Sequence, residues 1–484
     1  MRMRTLAVVS ACLATVLAAA AVPASVATAE GVSSGALAAE GASSGALAAE
    51  GVSSGALAAE GVSSGALAAA LRIARQTLAP GDGWGSAGTG TTGGVAAADP
   101  NVAVATDRAS LIAALGGDNA TNGANATAKI VLIAGRIDAN VDDAGNRLSC
   151  TDYADPGYGL DAYLAAYDPA TWGMVAPTGP LEEARVRSAR NQGARVRINV
   201  GPNTTIVGVG RGGKIVGGNV TLDRVSNVIV RNVTFEDAYD CFPAWTPTDG
   251  ATGNWNSLYD TVTLTGATNV WVDHNTFTDG SNQDSEQPVY FGRPYQVHDG
   301  LLDIIRGSDY VTVSYNNLFE HDKTMLIGST NTPGVDVGKL RVTLHHNRFA
   351  NVGQRAPRVR FGQVDVYNNY FYATDEDTYS YSWGVGVQSA IYAENNFLLR
   401  SADIPLGAVV FDWGGTVLTE IGTLARVGTQ KPVPVSLLAE YNATHDPDIG
   451  ADAGWVPTLR TRVDPTAAVP GIVSASAGAG RLSG

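Results

Sequence analysis

The spacing of apolar residues changes character near Arg195. Before that residue, apolar positions recur at helical intervals in short segments, and we predict helices after Asp107, over 160–167 and over 181–192. Asp107 is a suitable N-cap for the first helix, and the glycines at 116–117 are a suitable stop. After Arg195, short runs of Val, Ile and Thr alternate with Gly, Asn and Asp, which predicts strands joined by turns.

One strand pattern recurs along this second part of the chain. It has apolar residues at its first and third positions, and Asn at its sixth position in most copies. Successive copies start 42, 41, 31, 22 and 27 residues apart. The shortest interval is 22 residues, and the others exceed it by different amounts. Such intervals are typical of a solenoid with loops inserted into some coils. The copies begin at Val228, Val270, Val311, Val342, Val364 and Ile391.

This pattern predicts an all-β protein, a right-handed parallel β-helix that is a single-stranded solenoid. The first and third positions face one side of a strand, so they stack on their counterparts in neighbouring coils. Asn at the sixth position can adopt a left-handed turn and bond to its neighbours as a ladder. A few N-terminal helices would cap the solenoid, and the longest intervals become long inserted loops, where a site would lie. The alternative is a β-sandwich or barrel, whose strands recur at shorter intervals of roughly 8–12 residues.

The first 29 residues have the features of a secretory signal. Arg2 and Arg4 give a basic start, an Ala-rich apolar run covers 6–21, and residues 27–29 form a small-x-small cleavage pattern. A transmembrane anchor is the alternative, since the run is nearly long enough to span a bilayer. We predict a cleaved signal over 1–29, and therefore a secreted, extracellular protein with no membrane segment after cleavage.

A ten-residue unit, EGVSSGALAA with one variant, follows four times in succession. The unit is too short to form a core of its own, and its Gly, Ser and Ala content suits a flexible spacer. We therefore predict a disordered repeat segment over 30–70 and one folded domain over 71–484, which we expect to act as a monomer.

Composition limits the classes of partner. The 484 residues include 32 Lys and Arg against 46 Asp and Glu, for a net charge of −14. An acidic chain has no basic face for phosphate, so nucleic acid is not an expected partner. Cys12 leaves with the signal, and the remaining Cys150 and Cys241 can form one disulfide or remain two buried thiols. The sequence leaves these two possibilities open.

Four polar clusters stand out after residue 258. Taken singly, each has an ordinary structural interpretation as a turn cap or a surface ion pair. In a solenoid, however, residues one coil apart in sequence become neighbours in space, so the acids could converge on Ca²⁺, which prefers oxygen ligands. The nearby cations would then flank the ion and form a site for a polyanion. The clusters are Asp260; Asp299 with Asp303; Lys323, one of only five lysines; and Arg355 with Arg358 and Arg360.

These segments together resemble the pectate lyases of polysaccharide lyase family 1. The segments are VWVDHNTF from Val270, HDG with the later Asp303, SYN with the later HDK, and QRAPRVRFG from Gln354. The resemblance runs in order from about Arg75 to the C-terminal region, and it is closest to the secreted pectate lyases of bacilli. Cys150 is not part of the family pattern, and neither is Cys241.

The resemblance implies a role for each of six residues. It implies that Asp260, Asp299 and Asp303 are the Ca²⁺ ligands. Arg355 would be the catalytic base, and Lys323 and Arg360 would bind the substrate carboxylate. The implied reaction is β-elimination on α-1,4-polygalacturonate, the de-esterified form of pectin. Asp273 and His274, in the WVDH segment, are expected to be structural.

Three other functions have different requirements. A pectin lyase acts on methylated pectin without calcium, which predicts that the three aspartates would be missing. A polygalacturonase would need a water-activating carboxylate cluster whose signatures do not occur here. A non-catalytic β-helix that binds polysaccharide could keep the strand pattern, but has no need for Lys323, Arg355 and Arg360 beside three carboxylates.

Overall fold

The recurring strand pattern forms stacked coils, as its spacing predicts. In the computed structural model, which describes residues 62–482, equivalent positions of successive copies are register partners in parallel strands. The first residues of the six copies form one continuous row of such partners, which is Val228, Val270, Val311, Val342, Val364 and Ile391.

The strands are short, as expected when every coil turns three corners. In chain order they are β1 (Val102–Ala105), β2 (Lys129–Ile133), β3 (Arg136–Asp138), β4 (Arg197–Asn199), β5 (Thr204–Gly208), β6 (Lys214–Val216), β7 (Asn219–Asp223), β8 (Ser226–Arg231), β9 (Thr234–Glu236), β10 (Ala244–Thr246), β11 (Asn254–Asn256), β12 (Val262–Thr265), β13 (Thr268–Asp273), β14 (Thr276–Thr278), β15 (Val289–Tyr290), β16 (Arg293–Pro294), β17 (Leu302–Ile305), β18 (Asp309–Ser314), β19 (Asn317–Lys323), β20 (Leu326–Ile327), β21 (Val342–His345), β22 (Arg348–Gln354), β23 (Arg358–Val359), β24 (Gln363–Tyr367), β25 (Tyr370–Ala373), β26 (Trp383–Gly386), β27 (Ala390–Glu394), β28 (Phe397–Arg400), β29 (Val410–Trp413), β30 (Leu418–Ile421), β31 (Leu424–Val427) and β32 (Val433–Pro434).

Three long sheets run the length of the solenoid. Sheet I has ten strands in the order β1-β2-β5-β8-β13-β18-β21-β24-β27-β30. Sheet II has eight strands in the order β29-β26-β23-β20-β17-β12-β7-β4. Sheet III has ten strands in the order β3-β6-β9-β14-β19-β22-β25-β28-β31-β32, of which only the last is antiparallel to its neighbour. The fold is the right-handed parallel β-helix that the sequence predicts.

A ladder of buried asparagines runs along one corner of the coils. Each side-chain amide donates to the carboxamide oxygen of the next asparagine at 3.0–3.2 Å, and each residue is almost wholly buried. The ladder was predicted at the sixth position of the pattern, and that prediction is confirmed. Its members are Asn275, Asn316, Asn347, Asn369 and Asn396.

The left-handed residue at this corner is not the one predicted. The backbone has a positive φ at the fifth position of each copy, for example 53° at His274 and 55° at His346, and the asparagine follows it. The fifth residue turns the corner, which leaves the side chain of the sixth free to point along the ladder. Non-glycine residues therefore hold a conformation that glycine usually fills.

Helices lie outside the three sheets, and two of them contribute to the central core. They are α1 (Ser64–Ala74), α2 (Arg108–Leu115), α3 (Asn119–Asn122), α4 (Cys150–Tyr153), α5 (Leu160–Ala166), α6 (Pro169–Trp172), α7 (Pro180–Val196), α8 (Leu437–Asn442) and α9 (Val469–Ser476). The three predicted helices correspond to α2, α5 and α7. Helix α2 begins after Asp107, which caps it, and ends at Gly116. Helices α2 and α8 contribute Leu111 and Leu438, respectively, to the central core.

Two boundaries differ from the sequence predictions. The predicted disordered segment over 30–70 extends too far, because helix α1 begins at Ser64 and its Leu67 and Ala70 are buried against β2 and β5. Leu67 and Ala70 pack on the apolar outer face of sheet I, so the last repeat unit enters the fold. The signal segment and the earlier repeats lie outside the described residues. In addition, strands β1 to β3 precede Arg195, so the first coil forms before the helical insertion.

Cys150 and Cys241 form a disulfide, which resolves the alternative that the sequence left open. Their Cα atoms are 5.3 Å apart across 91 residues of sequence. The bond joins the helical insertion before β4 to the long loop after β9. A bridge of this span removes conformational freedom from the unfolded chain, so it stabilises the fold by about 4.6 kcal/mol in the loop-entropy description.

Candidate active site

The candidate residues meet on the outer face of sheet II, near its middle. Asp260 precedes β12, Asp303 is on β17, and Arg355 precedes β23. Strands β12, β17, β20 and β23 are consecutive neighbours in the sheet. Lys323 ends β19 of sheet III and leads into β20, so it lies at the corner between the two sheets. Residues more than 90 positions apart in sequence, such as Asp260 and Arg355, therefore lie only a few coils apart in the solenoid.

Gly300 lies between two of the predicted calcium ligands. Its backbone N–H donates to Asp260 Oδ1 at 2.8 Å. A methyl group in place of its hydrogen would lie 2.7 Å from both Asp260 Oδ1 and Asp303 Oδ1. The two carboxylates therefore converge on the main chain of Gly300, and a larger residue there would push them apart.

Burial and mutual repulsion disfavour the ionised form of both of these acids. Asp260 is 5% exposed and Asp303 is 4% exposed. Burial, followed by the charge of Asp299, raises the pKa of Asp260 to about 7. Burial, followed by the charges of Asp260 and Asp299, raises the pKa of Asp303 well above its ordinary value. Such a group of acids is unfavourable at neutral pH unless a cation balances it.

Asp299 is more accessible and faces the lysine. Its carboxylate is 36% exposed, and its Oδ1 lies 3.9 Å from Lys323 Nζ. The backbone of this residue is held from both sides, since its N–H donates to the Tyr259 carbonyl and its own carbonyl accepts from His321 Nε2 at 2.9 Å. The third acid is thus fixed by its main chain, and its side chain is the most exposed of the three.

The donor set fits a hard divalent cation. Asp260, Asp299 and Asp303 supply carboxylate oxygens only, and calcium prefers oxygen ligands and tolerates irregular geometry. Within residues 62–482, no three His, Cys, Asp or Glu side chains already stand in complete ligand geometry.

Arg355 extends over these acids from the next coil. Burial favours its neutral form, but the carboxylates of Asp299 and Asp303 outweigh that effect and raise its pKa. Its main chain has a φ of 60°, and its carbonyl accepts from Met325 N–H at 2.7 Å. Its buried Nε makes no hydrogen bond to any described residue. The main chain of Arg355 is therefore held in place, while the Nε of its guanidinium has no hydrogen-bond partner among the described residues.

Arg360 is held rigidly at the other side of β23. Its Nε donates to Asn331 Oδ1 at 2.6 Å, and its Nη1 donates to the Gly328 carbonyl at 2.8 Å. Burial, followed by the charge of Arg355, lowers the pKa of Arg360. None of its described partners is a carboxylate, so its charge is available to an anion from outside the chain.

Two histidines beside the acids are buried and hydrogen-bonded, His298 in the loop before β17 and His321 on β19. His298 lies between Asp237 and Asp284, at 3.1 Å from each, and the charge of Asp279, followed by these two carboxylates, raises its pKa to about 10 against the opposing effect of burial. His321 lies between Asp279 and the Asp299 carbonyl. The sequence did not reveal these partners, because they come from other coils.

Asp273 and His274 lie elsewhere. Asp273 ends β13 of sheet I, where it pairs with Arg231 at 2.7 Å and accepts from Ser314 at 2.6 Å. His274 stacks on Tyr315. Both residues belong to a side of the solenoid that the acid cluster does not use.

Comparisons with known proteins identify one family. A family model described as pectate lyase matches residues 174–439. A pectate lyase from Bacillus subtilis is 48% identical over 422 residues, which are 86% of this chain and 95% of the relative. Pectate lyase E from Dickeya chrysanthemi is 39% identical, covering 56% of this chain and 73% of the relative.

Solved structures give the same result. A thermostable pectate lyase superposes with a TM-score of 0.83 at 46% identity, covering 85% of this chain and all of that one. A pectate lyase bound to a hexasaccharide superposes with a TM-score of 0.79 at 47% identity and the same coverage. The class that the fold defines is a parallel β-helix enzyme. The chain belongs to the pectate lyase family.

Proposed function

We propose that this enzyme is a secreted, calcium-dependent pectate lyase that cleaves α-1,4-polygalacturonate by β-elimination and releases 4,5-unsaturated oligogalacturonates. The observation that carries the proposal is the meeting of Asp260 and Asp303 at Gly300, with Arg355 above them. The hexasaccharide complex of a relative supports a saccharide as the ligand of this site.

Each step of the proposed reaction has a group to perform it. Lys323 and Arg360 would bind the carboxylate of the reacting sugar and draw charge from it, which acidifies the neighbouring C5–H bond. Arg355 would take the C5 proton, the electron pair would form the C4–C5 double bond, and the C4–O bond would break. The departing oxygen would take a proton from solvent.

Asp260, Asp299 and Asp303 would hold Ca²⁺. When bound, Ca²⁺ supplies positive charge that neutralises the substrate carboxylate and stabilises the negative charge that develops on it. The donor chemistry of the site supports this assignment, because two of the three acids are buried with raised pKa values.

A neutral Arg355 is the demanding part of this mechanism, because a guanidinium is normally protonated. Burial and the neighbouring cations Arg360 and Arg358 favour the neutral form, whereas unbalanced charges on Asp299 and Asp303 oppose it. We therefore expect the reaction to proceed best at alkaline pH, with the aspartate charges balanced.

Secretion is supported by the signal-like pattern over 1–29 and by the disulfide, which is characteristic of oxidising compartments. In the part of the chain that the structure describes, no helix has the length and apolar character needed to cross a bilayer.

The deciding experiment follows the ultraviolet absorbance of unsaturated product from polygalacturonate, in calcium and in excess chelator. We expect product in calcium, little in chelator, and recovery when calcium is restored. No absorbance in calcium would overturn the lyase assignment, and equal rates in chelator would overturn calcium dependence. Highly methylated pectin, tested in parallel, should be the poorer substrate.

A further inference from the structure

Three arginines follow β22, and none has a carboxylate partner within salt-bridge distance among residues 62–482. Other buried arginines in this range are ion-paired, as Arg231 is with Asp273 at 2.7 Å. Arg355 and Arg360 are accounted for by the proposed reaction. Arg358 is not, although burial, followed by the charge of Arg360, lowers its pKa to about 10.

Arg358 lies flat along the next coils. Its guanidinium is 3.7 Å from the ring centre of Trp413, two strands further along sheet II. The strand between them presents glycine at the facing position, and a Cβ on Gly384 would lie 2.9 Å from Arg358 Cγ. This glycine allows the arginine to reach the tryptophan.

Three aromatic rings form a shelf at this place, which we call the aromatic shelf: Tyr381, Phe411 and Trp413. Phe411 and Trp413 have ring centres 4.9 Å apart, and Tyr381 lies 5.4 Å from Phe411 and 6.1 Å from Trp413. Tyr381 is 1% exposed, whereas Phe411 is 42% exposed. The shelf is thus supported from beneath and open to solvent above.

Strand register places the shelf on the same face as the candidate active site. Arg358 pairs with Gly384, and Gly384 pairs with Phe411, so these residues point the same way from sheet II. Asp303 belongs to the same row. Its neighbour Ile304 pairs with Ile327, which places Asp303 opposite Leu326. Leu326 in turn pairs with Arg358. Phe411 is two strands beyond Arg358, or about 10 Å at ordinary strand spacing.

The surface around the aromatic shelf carries positive charge, whereas the surface over sheet III carries negative charge. A cavity beside His321 is lined by five acids, and three of them, Glu320, Asp322 and Asp375, have no cationic partner within salt-bridge distance among the described residues. Those acids repel a polyanion. On the shelf side, Arg358 and Arg360 attract it.

We propose that the aromatic shelf is a binding subsite for one pyranose ring of an oligogalacturonate chain, beyond the residues that react. The exposed face of Phe411 would receive the apolar C–H face of the sugar, and Arg358, stacked on Trp413, would bind its carboxylate. This inference rests on the proposed function, since it extends the same groove by two coils.

The test measures binding with turnover strongly reduced, by calorimetry in calcium on the Arg355→Lys variant. The probes are hexagalacturonate and trigalacturonate. Adding Phe411→Ala should raise the Kd for hexagalacturonate about tenfold and change that for trigalacturonate much less, since the longer chain reaches the shelf. Phe411→Tyr should restore most of the affinity. Ile421→Ala, which truncates another large apolar side chain that is 45% exposed, is the matched control and should leave both Kd values unchanged.

The outcomes separate the two proposals. Normal hexagalacturonate binding by the Phe411→Ala variant would overturn the shelf alone. Equal loss of affinity for both oligomers would also overturn it, because the effect would then not depend on chain length. Failure of the Arg355→Lys parent to bind either oligomer would overturn the proposed function, and the shelf with it.

Discussion

His321 Nε2 donates a hydrogen bond to the backbone carbonyl of Asp299 at 2.9 Å. Its Nδ1 faces the Asp279 carboxylate at 2.8 Å, so both ring nitrogens face acceptors and the ring must carry two protons to satisfy them. The Asp279 carboxylate raises the pKa of His321 against the opposing effect of burial. A buried imidazolium thus fastens the loop that carries Asp299.

Replacing this histidine should weaken calcium binding. We expect His321→Ala to raise the calcium Kd about tenfold, which is typical when a residue that orients a metal ligand is lost. Calorimetric titration of the chelated, then dialysed, protein measures the effect directly. His445, an exposed histidine on the far part of the chain, provides the control substitution His445→Ala. An unchanged calcium Kd in His321→Ala would show that the loop holds Asp299 without this contact.

Calcium should stabilise the folded chain, and Asp303→Asn should remove that effect. A ligand at one hundred times its Kd stabilises the native state by about 2.7 kcal/mol. Without calcium, the variant should unfold at a temperature equal to or above that of the unsubstituted chain, because a buried acid that repels Asp260 is gone. Thermal unfolding in calcium and in chelator checks both signs. A calcium-induced shift of full size in Asp303→Asn would exclude that residue as a ligand.

A methyl group at Gly300 should disrupt the site sterically. Because the added Cβ would lie 2.7 Å from two carboxylate oxygens, Gly300→Ala should lower calcium affinity and turnover by at least tenfold. The backbone conformation is not the reason, since Gly300 has no positive φ. Gly159→Ala is the matched control, because a Cβ there meets nothing within 4 Å. Unaltered calcium affinity in Gly300→Ala would contradict the placement of the two acids.

Arg355→Lys should reduce turnover by a hundredfold or more while polygalacturonate binding is largely kept. Lysine retains the positive charge but cannot place a guanidinium nitrogen at the same position, and general-base groups contribute about 10²–10⁴ in rate. Product absorbance gives the rate, and calorimetry gives the affinity. Turnover near the original rate would remove Arg355 from the role of base.

Asp240 should make stability fall as pH rises from about 4 to 6. The carboxyl is fully buried, and burial raises its pKa to about 6, so the folded chain retains a proton that the unfolded chain releases in this range. The loss should reach about 3 kcal/mol and then level off. Denaturant unfolding at several pH values should show a flatter profile for Asp240→Asn than for the exposed control Asp377→Asn. Parallel profiles for the two variants would contradict the prediction.

The sequence predicts most of the solenoid because its strand pattern repeats. Val228 and Val270 are recognisable as equivalent from their flanking residues alone, and the structure pairs them in register. The six candidate residues were reached through family resemblance, and the fold brings them together.

Other features depend on contacts between distant segments, which a single sequence does not display. Nothing around His321 indicates that Asp279 and the Asp299 carbonyl would be its partners. The start of the helix at Ser64 is not predicted because its first six residues are identical to part of the repeat units, whose composition is that of a spacer, and only contact with the apolar face of sheet I distinguishes them. Phe411 was overlooked because its exposure depends on where β29 lies in sheet II.

The chemistry occupies the middle of an eight-stranded sheet, with two strands between it and each end. Each coil of a solenoid contacts only its neighbours, so opening can begin at an end and stop before the centre. Fraying that starts at β29 would remove Phe411 and Trp413 first and leave the acids in place. Gentle heating would therefore remove the shelf end of the groove before it abolishes catalysis. The tighter binding of long oligogalacturonates would be lost at a lower temperature than the cleavage of short ones.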